Sequence, residues 1–429
     1  MIENYRPIIV LDDDPTGTQT VHGVPVITEW SIESIENEFK LQTPLFYILT
    51  NSRALIASEA NELGKKIGEN LKFLKQKIWI VSRGDSTLRG HFPNEIDALS
   101  AGLGWEDQVL IVLIPAFFEG NRFTKDDIHY LKEGGNWIPV GETPYAQDKT
   151  FGYHSSNLKE WVEEKTKGTV KANEVNSISI ENLEDSDENL VLEIIKKANK
   201  VLIVNALNQI HLERFSKIIK KSNRKIIFRT GASFVASFGN IDKKPLLQKS
   251  DLSGLDTKNG GLIIVGSHVP KSTAQLHELL KTDIQALEFE VEKYLKIGDD
   301  YLQGISKKLN AQIADKLNVV VYTSRNLKIG ENEEESLNLS VQVSEGLIKV
   351  VQYLDVKPRF FIAKGGITSS DLATKGLGVK RAIVLGQIEA GIPVWALGNE
   401  TKFPNLSYII FPGNVGKDET LKAIYEKLR

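Results

Sequence analysis

The chain of 429 residues has no cysteine. Disulfides, thiolate nucleophiles and cysteine-bound metals are therefore excluded, and a reducing compartment fits. There is no excess of one charge: 53 basic and 56 acidic residues leave a net charge of −3. Nothing in that balance attracts nucleic acid or an acidic membrane. No apolar run approaches the roughly 20 residues that span a bilayer. The start, MIENYRPIIVLDDD, has no cationic segment followed by a long apolar stretch, so no secretory leader is expected. His22, His91, His129 and His154 show no metal-ligand spacing. The six tryptophans form no stripe on a basic patch. The default expectation is therefore a cytoplasmic protein with no nucleic-acid or membrane partner. A hydrophobic content of 41% with 25% charged residues is that of a globular chain, and the length suggests two or three domains.

What is present is a long alternation. Short apolar, β-branched runs (PIIVLD, LFYILT, IWIVS, VLIVLIP, KVLIVNA, KIIFRT, GLIIVGS, ALEFEV, NVVVYTS, RFFIAKGG, IPVWAL and YIIFPG) are separated by stretches of helical period. The helices are expected at Ser58–Lys75, Lys271–Thr282, Tyr301–Leu317, Ser336–Leu354 and Lys417–Leu428. Runs apolar throughout, rather than alternating, predict parallel strands buried on both faces. The expected fold is two α/β domains, each a mostly parallel open sheet flanked by helices, with the active-site cleft between them. The polar, glycine-containing segment Pro245–Gly261 suggests a division into 1–250 and 251–429. The polar stretch KGTVKANEVNSISIENLEDSDEN reads as a surface connection with one short strand at most.

In open α/β sheets, ligands bind beyond the carboxyl ends of the strands. Several expected strands end in reactive residues. The first runs into Asp12, Asp13 and Asp14, followed by Pro15, Thr16 and Gly17. Three adjacent carboxylates are costly unless donors, a cation or water answer them. LFYILT leads to Arg53; IWIVS leads to Arg83, Gly84, Asp85, Ser86 and then Arg89; VLIVLIP leads to Glu119 and Arg122. If these strands are neighbours, acids and arginines meet in one pocket. Arginine matches a carboxylate in two-point geometry, and aspartates accept from sugar hydroxyls, so the pocket suits a small polyhydroxylated acid. In the second half, glycines stand at three strand-to-helix turns: Gly266–Ser267, then Gly365, Gly366 and Thr368, then Gly413, Asn414, Val415 and Gly416. Glycine lets a backbone approach phosphate closely. Each feature also has a plainer reading: a solvated acidic turn, an arginine-neutralised Asp85, an ordinary helix start. GNVGK lacks the spacer and Ser/Thr of a Walker loop, and GLGVKR lacks the third glycine of a dinucleotide fingerprint.

The whole set of motifs resembles the four-carbon acid sugar kinase family. The resemblance rests on the DD-x-TG turn (Asp13, Asp14, Thr16, Gly17), TNSRA, DSTLRGHF, PAFFEGNRFT, ETPYAQDKTFGYHSSNLKEWV, FRTGASFVASF, VGSHVPKSTAQL, AKGGITSSDLA and FPGNVG. It covers nearly the whole chain. Departures fall beside the supposed sites: LDDD where members often read ADD, SRGD where many carry a lysine-containing run, and FPGNVG in place of KSGNFG. The resemblance implies ATP- and Mg²⁺-dependent phosphorylation of a hydroxyl on a threonate, erythronate, 3-oxo-tetronate or related branched oxo-acid. It further implies substrate contacts from Asp13, Asp14, Arg53, Arg83, Gly84, Asp85, Ser86 and Arg89, with Asp13 or Asp85 as acceptor of the hydroxyl proton. Arg53, with Arg83 or Arg89, would take the substrate carboxylate. Ser267, Gly365, Gly366, Thr368, Gly413, Asn414, Val415 and Gly416 would hold the nucleotide. Metal ligands stay unassigned, although the acids of the opening cluster are offered as helpers for Mg²⁺, and a homodimer is the assembly allowed for. Two other readings compete. Asp12-x-Asp14-x-Thr16 fits the first motif of a haloacid-dehalogenase-like phosphatase, but the acidic pair offered for it, Asp299–Asp300, precedes the Thr323 strand end instead of following it, and follows no apolar strand. A non-catalytic sugar-acid binding protein is the other.

Overall fold

The computed structural model describes residues 6–325 and 333–429 except Asp107, Ser186 and Asp256. The chain divides into two compact units, one of residues 1–21 and 29–243 and the other of residues 22–28 and 244–429.

The first unit is built on a parallel sheet in the order Leu45–Leu49, Ile8–Asp12, Trp79–Arg83, Lys225–Thr230, Val109–Ile114, Val201–Val204, Asn176–Ile178. All six residues of Val109–Ile114 are buried, as a strand covered on both faces requires. Register brings the functional tips level: Asp12 pairs with Arg83, and Arg83 with Thr230. On one flank, the helices Ala57–Phe73 and Asn94–Leu103 touch backbone to backbone. A Cβ on Gly68 would sit 2.5 Å from the Leu99 carbonyl oxygen, and one on Gly102 2.2 Å from that of Lys65. A separate antiparallel sheet (Arg122–Lys125, Ile128–Glu133, Asn136–Pro139) follows the Glu119 turn.

The second unit has the sheet order Gln285–Phe289, Val319–Thr323, Leu262–Val265, Phe361–Lys364, Ser407–Phe411, Ile392–Leu397, Arg381–Glu389, Val24–Ile27. The first five strands are parallel. The last three run antiparallel to their neighbours, so IPVWAL is not the parallel strand its apolar run suggested. Its core packs Ile263, Val265, Phe360, Ile362, Ile409 and Phe411 against Leu276, Leu421 and Ile424 of two helices. Every strand expected from an apolar run is present, and the two units are α/β with mostly parallel sheets. No helix among the described residues is long and apolar enough to cross a membrane.

Candidate active site

In the first unit, arginines answer the three adjacent carboxylates of the first strand tip. Asp12 closes its strand beside Arg83, whose Nη1 lies 3.3 Å from Asp12 Oδ1 and 3.8 Å from Asp13 Oδ1. Arg53 grips Asp13 with both arms, Nε to Oδ2 at 3.2 Å and Nη2 to Oδ1 at 2.7 Å. Its Nη2 also lies 3.6 Å from Asp14. Asp14 caps the short 3-10 turn Pro15–Thr20, accepting from the Thr16 amide at 2.8 Å and its hydroxyl at 2.5 Å. Gly17 is needed for close approach: a Cβ there would fall 2.0 Å from Asp12 Oδ2.

Asp85 and Arg89 complete the network, with Arg89 Nε 2.6 Å from Asp85 Oδ2 and Thr87 also donating to that oxygen. Arg89 reaches Asp148 at 3.5 Å, and its guanidinium lies over the Tyr145 ring. Arg53 acts electrostatically on Asp85 as well, so Asp13, Asp14, Arg53, Arg83, Asp85 and Arg89 form one charged cluster. Ser86 stands beside it, buried, with its carbonyl accepting from His129 Nε2 at 2.8 Å. Gly84 is packed on Arg229, which had no role in the sequence reading: a Cβ on Gly84 would lie 2.2 Å from the guanidinium carbon. Arg229 donates to Ser82 Oγ and to the Arg89 carbonyl, both at 3.2 Å. Its Nη1 lies 3.9 Å from Glu95, which accepts from Ser52 at 2.7 Å. A lone arginine inside an apolar strand run gives no spacing signal, so only the fold reveals it.

The carboxylates are not equivalent. Burial pushes Asp12 up to about 7; Arg83 pulls it down, while Asp13 and Asp14 push it further up. Its Oδ2 is buried without a hydrogen-bond partner. Burial also opposes the charges of Asp14 and Asp85. For Asp14, Arg53 and the two Thr16 bonds outweigh it. For Asp85, Arg53, Arg89 and the bonds from Thr87 and Arg89 outweigh it and hold the group well below the usual carboxylate range. Buried His129 is held neutral, its imidazolium form disfavoured down to about 4 chiefly by burial.

In the second unit, the three glycine turns do come side by side, because their strands Leu262–Val265, Phe361–Lys364 and Ser407–Phe411 are sheet neighbours. A Cβ on Gly266 would meet Thr368 Oγ1 at 2.6 Å, one on Gly365 would meet Ser267 Cβ at 3.1 Å, and one on Gly413 would meet Ser267 Oγ at 3.4 Å. Gly365 has φ +124, a left-handed conformation that favours glycine. Gly366 opens the short helix Gly366–Asp371. Gln275 Nε2 donates to the carbonyls of Val415 at 2.9 Å and Lys417 at 2.8 Å, and Asn414 between the glycines is exposed. Arg325, also unassigned from sequence, fixes Ser267 by donating to its carbonyl at 2.8 Å.

Comparison with known proteins divides the chain in the same sense. Residues 8–238 match a sugar-binding N-terminal domain, and residues 262–421 a nucleotide-binding C-terminal domain. A search of curated proteins finds no match. Among solved structures, a Haemophilus influenzae protein of the DUF1537 family aligns over 98% of this chain and 100% of its own, with TM-score 0.69 and 16% identity. A Salmonella typhimurium LT2 protein aligns over 99% of this chain and 98% of its own, with TM-score 0.71 and 15% identity. At that identity the neighbours speak for the fold alone, while the two family models span both units; the chain belongs to the four-carbon acid sugar kinase family.

Proposed function

We propose that the protein transfers the γ-phosphoryl group of ATP to a hydroxyl of a four-carbon sugar acid or its 3-oxo form, with threonate, erythronate, 3-oxo-tetronate and branched oxo-acids as the candidate acceptors. One observation carries this reading: the half of the chain that matches a sugar-binding domain holds a cluster of arginines and aspartates at its strand tips. Such a cluster offers both a two-point carboxylate site and acceptors for hydroxyls. Arg53 and Arg89 are the arginines for the substrate carboxylate, because their side chains are 20% and 27% exposed, against 5% for Arg83. Arg83 instead neutralises Asp12 from within the sheet. Arg229, through Gly84 and the Arg89 carbonyl, positions the loop that carries Asp85 and Arg89.

Phosphoryl transfer is mainly positioning and charge stabilisation, and it requires the hydroxyl and the nucleotide to meet during turnover. Asp13 and Asp85 are the two groups offered to the hydroxyl proton. Asp85 suits the role of orienter, since its strongly stabilised charge makes it a weak base. The nucleotide falls to Ser267, Gly365, Gly366, Thr368 and the 413–416 turn. Mg²⁺, when bound with the nucleotide, would offset the charge of the phosphates. The opening cluster does not fit a protein-held cation: arginines and Thr16 already answer Asp13 and Asp14, and the unpartnered oxygen of Asp12 is buried. The same burial speaks against the phosphatase alternative, because a nucleophilic Asp12 must reach phosphorus and its Oδ2 is covered by Gly17.

The test is ADP release with ATP and Mg²⁺ across a panel of C4 and branched C5 sugar acids and their 3-oxo forms. Release that depends on one or a few acids is the expected result. Phosphate freed from sugar phosphates without ATP would instead support the phosphatase.

A further inference from the structure

The strand Phe361–Lys364 ends in a lysine that is fully buried. Register sets Lys364 beside Phe411, and its Nζ lies 4.0 Å from the centroid of that ring. The ammonium donates to the Pro412 carbonyl at 2.6 Å and the Gly413 carbonyl at 3.1 Å. Ser272 Oγ donates to the Gly413 carbonyl as well, at 3.2 Å, and Gln275 holds the Val415 carbonyl at 2.9 Å. A trans peptide points its C=O and the following N–H in opposite directions. With three carbonyls drawn into the protein, the N–H groups of Gly413, Asn414 and Gly416 point the other way. Among the described residues, none of these amides donates to a backbone acceptor. Asn414 and Gly416 are exposed. Successive outward amides of this kind make an anion-binding concavity.

We propose that Lys364 is a positioning residue for the nucleotide: it draws the Pro412 and Gly413 carbonyls inward, presents the turn's amides to a phosphate, and takes up a proton when that anion binds. The proposal rests on the reading of the second unit as the nucleotide site. Its second half follows from the surroundings of the amine. Burial, aided by repulsion from Lys271, brings Lys364 down to about 7. Among the charged groups on the elements around it, Lys271 is paired with Asp418 at 3.0 Å and Lys375 with Asp371 at 2.9 Å. Lys417 lies in the segment after the turn, and of all these groups Lys271 alone acts on Lys364. A neutral amine keeps two N–H donors, enough for both carbonyls, so the turn survives deprotonation. An anion on the far side of the peptide favours the charged form. Binding therefore raises the pKa, and affinity falls as pH rises above the free value.

The experiment is calorimetric titration with ADP and Mg²⁺ in buffers of differing ionisation enthalpy. The expected result is net proton uptake and a Kd that rises roughly tenfold between about pH 7.5 and about pH 9. Lys364→Met should show neither effect. Lys271→Ala, a change at a half-exposed position, should move the pH dependence upward, and it decides the matter if Lys364→Met does not fold. ADP binding with no proton uptake and a pH-independent Kd overturns the role of Lys364 and leaves the nucleotide site standing. No ADP binding at any pH removes the site itself.

Discussion

Asp12 shows how a single side chain can carry a cost. Its carboxyl is raised by burial to about 7, whereas in the unfolded chain it titrates near 4. Between those values the unfolded state has lost a proton that the folded state keeps, so this group makes the fold less stable as pH rises from about 4 to about 7. Asp12→Asn removes the titration. The Tm of the variant minus that of the natural protein should therefore grow by several degrees, on the order of 5 °C, across that window and level off above it. A pH-independent difference would mean that Asp12 ionises normally. Asp13 has both oxygens held by Arg53. Asp13→Asn should lower kcat/KM by at least ~10²-fold with an unchanged circular dichroism spectrum; near-normal turnover would take Asp13 out of the site. The acids and arginines around the opening motif were legible because like charges beside Pro and Gly at a strand end demand an explanation. Arg229, Glu95 and Lys364 were not, although two of them lie inside motifs that were recognised. What distinguishes them is burial and which carbonyl or glycine they touch, and neither has a sequence spacing.

At the scale of elements, the parallel strands could be read because burial on both faces requires apolar residues at every position. Arg381–Glu389 escaped that reading, since its burial alternates residue by residue and its apolar run is broken by Gly386 and Gln387. Val24–Ile27 is short, includes a proline and pairs with that same strand across a large sequence separation. The antiparallel edge of the second sheet is thus a tertiary choice, absent from local pattern. Close helix packing is a further tertiary feature, and Gly68 shows its energetic weight. With the Leu99 carbonyl 2.5 Å from any added Cβ, the helices must move apart to admit one. Gly68→Val should cost about 1–3 kcal/mol by overpacking, read as a lower urea midpoint with unchanged slope. A midpoint equal to that of the natural protein would show that the pair can relax freely.

At the scale of the molecule, the two units have separate tasks in this account, and each can be disabled alone. Ser267→Trp places a large ring where Gly365 and Gly413 approach within about a side-chain radius. It should abolish the rise in Tm given by ADP while sparing the rise given by a substrate acid. Arg53→Ala should do the reverse. Loss of both effects in either variant would argue against the division of labour. The chain passes from the first unit to the second and back at residues 22–28 before its final passage at 243–244, so neither unit is one uninterrupted stretch of sequence. The most direct measurement follows the phosphorus itself. ATP, Mg²⁺ and the acid that gives the fastest ADP release are incubated with the protein, and the products are resolved by ³¹P NMR. One phosphomonoester of the sugar acid is expected for each ADP formed. ADP matched by inorganic phosphate, with no phosphorylated acid, would rule out transfer to the acid.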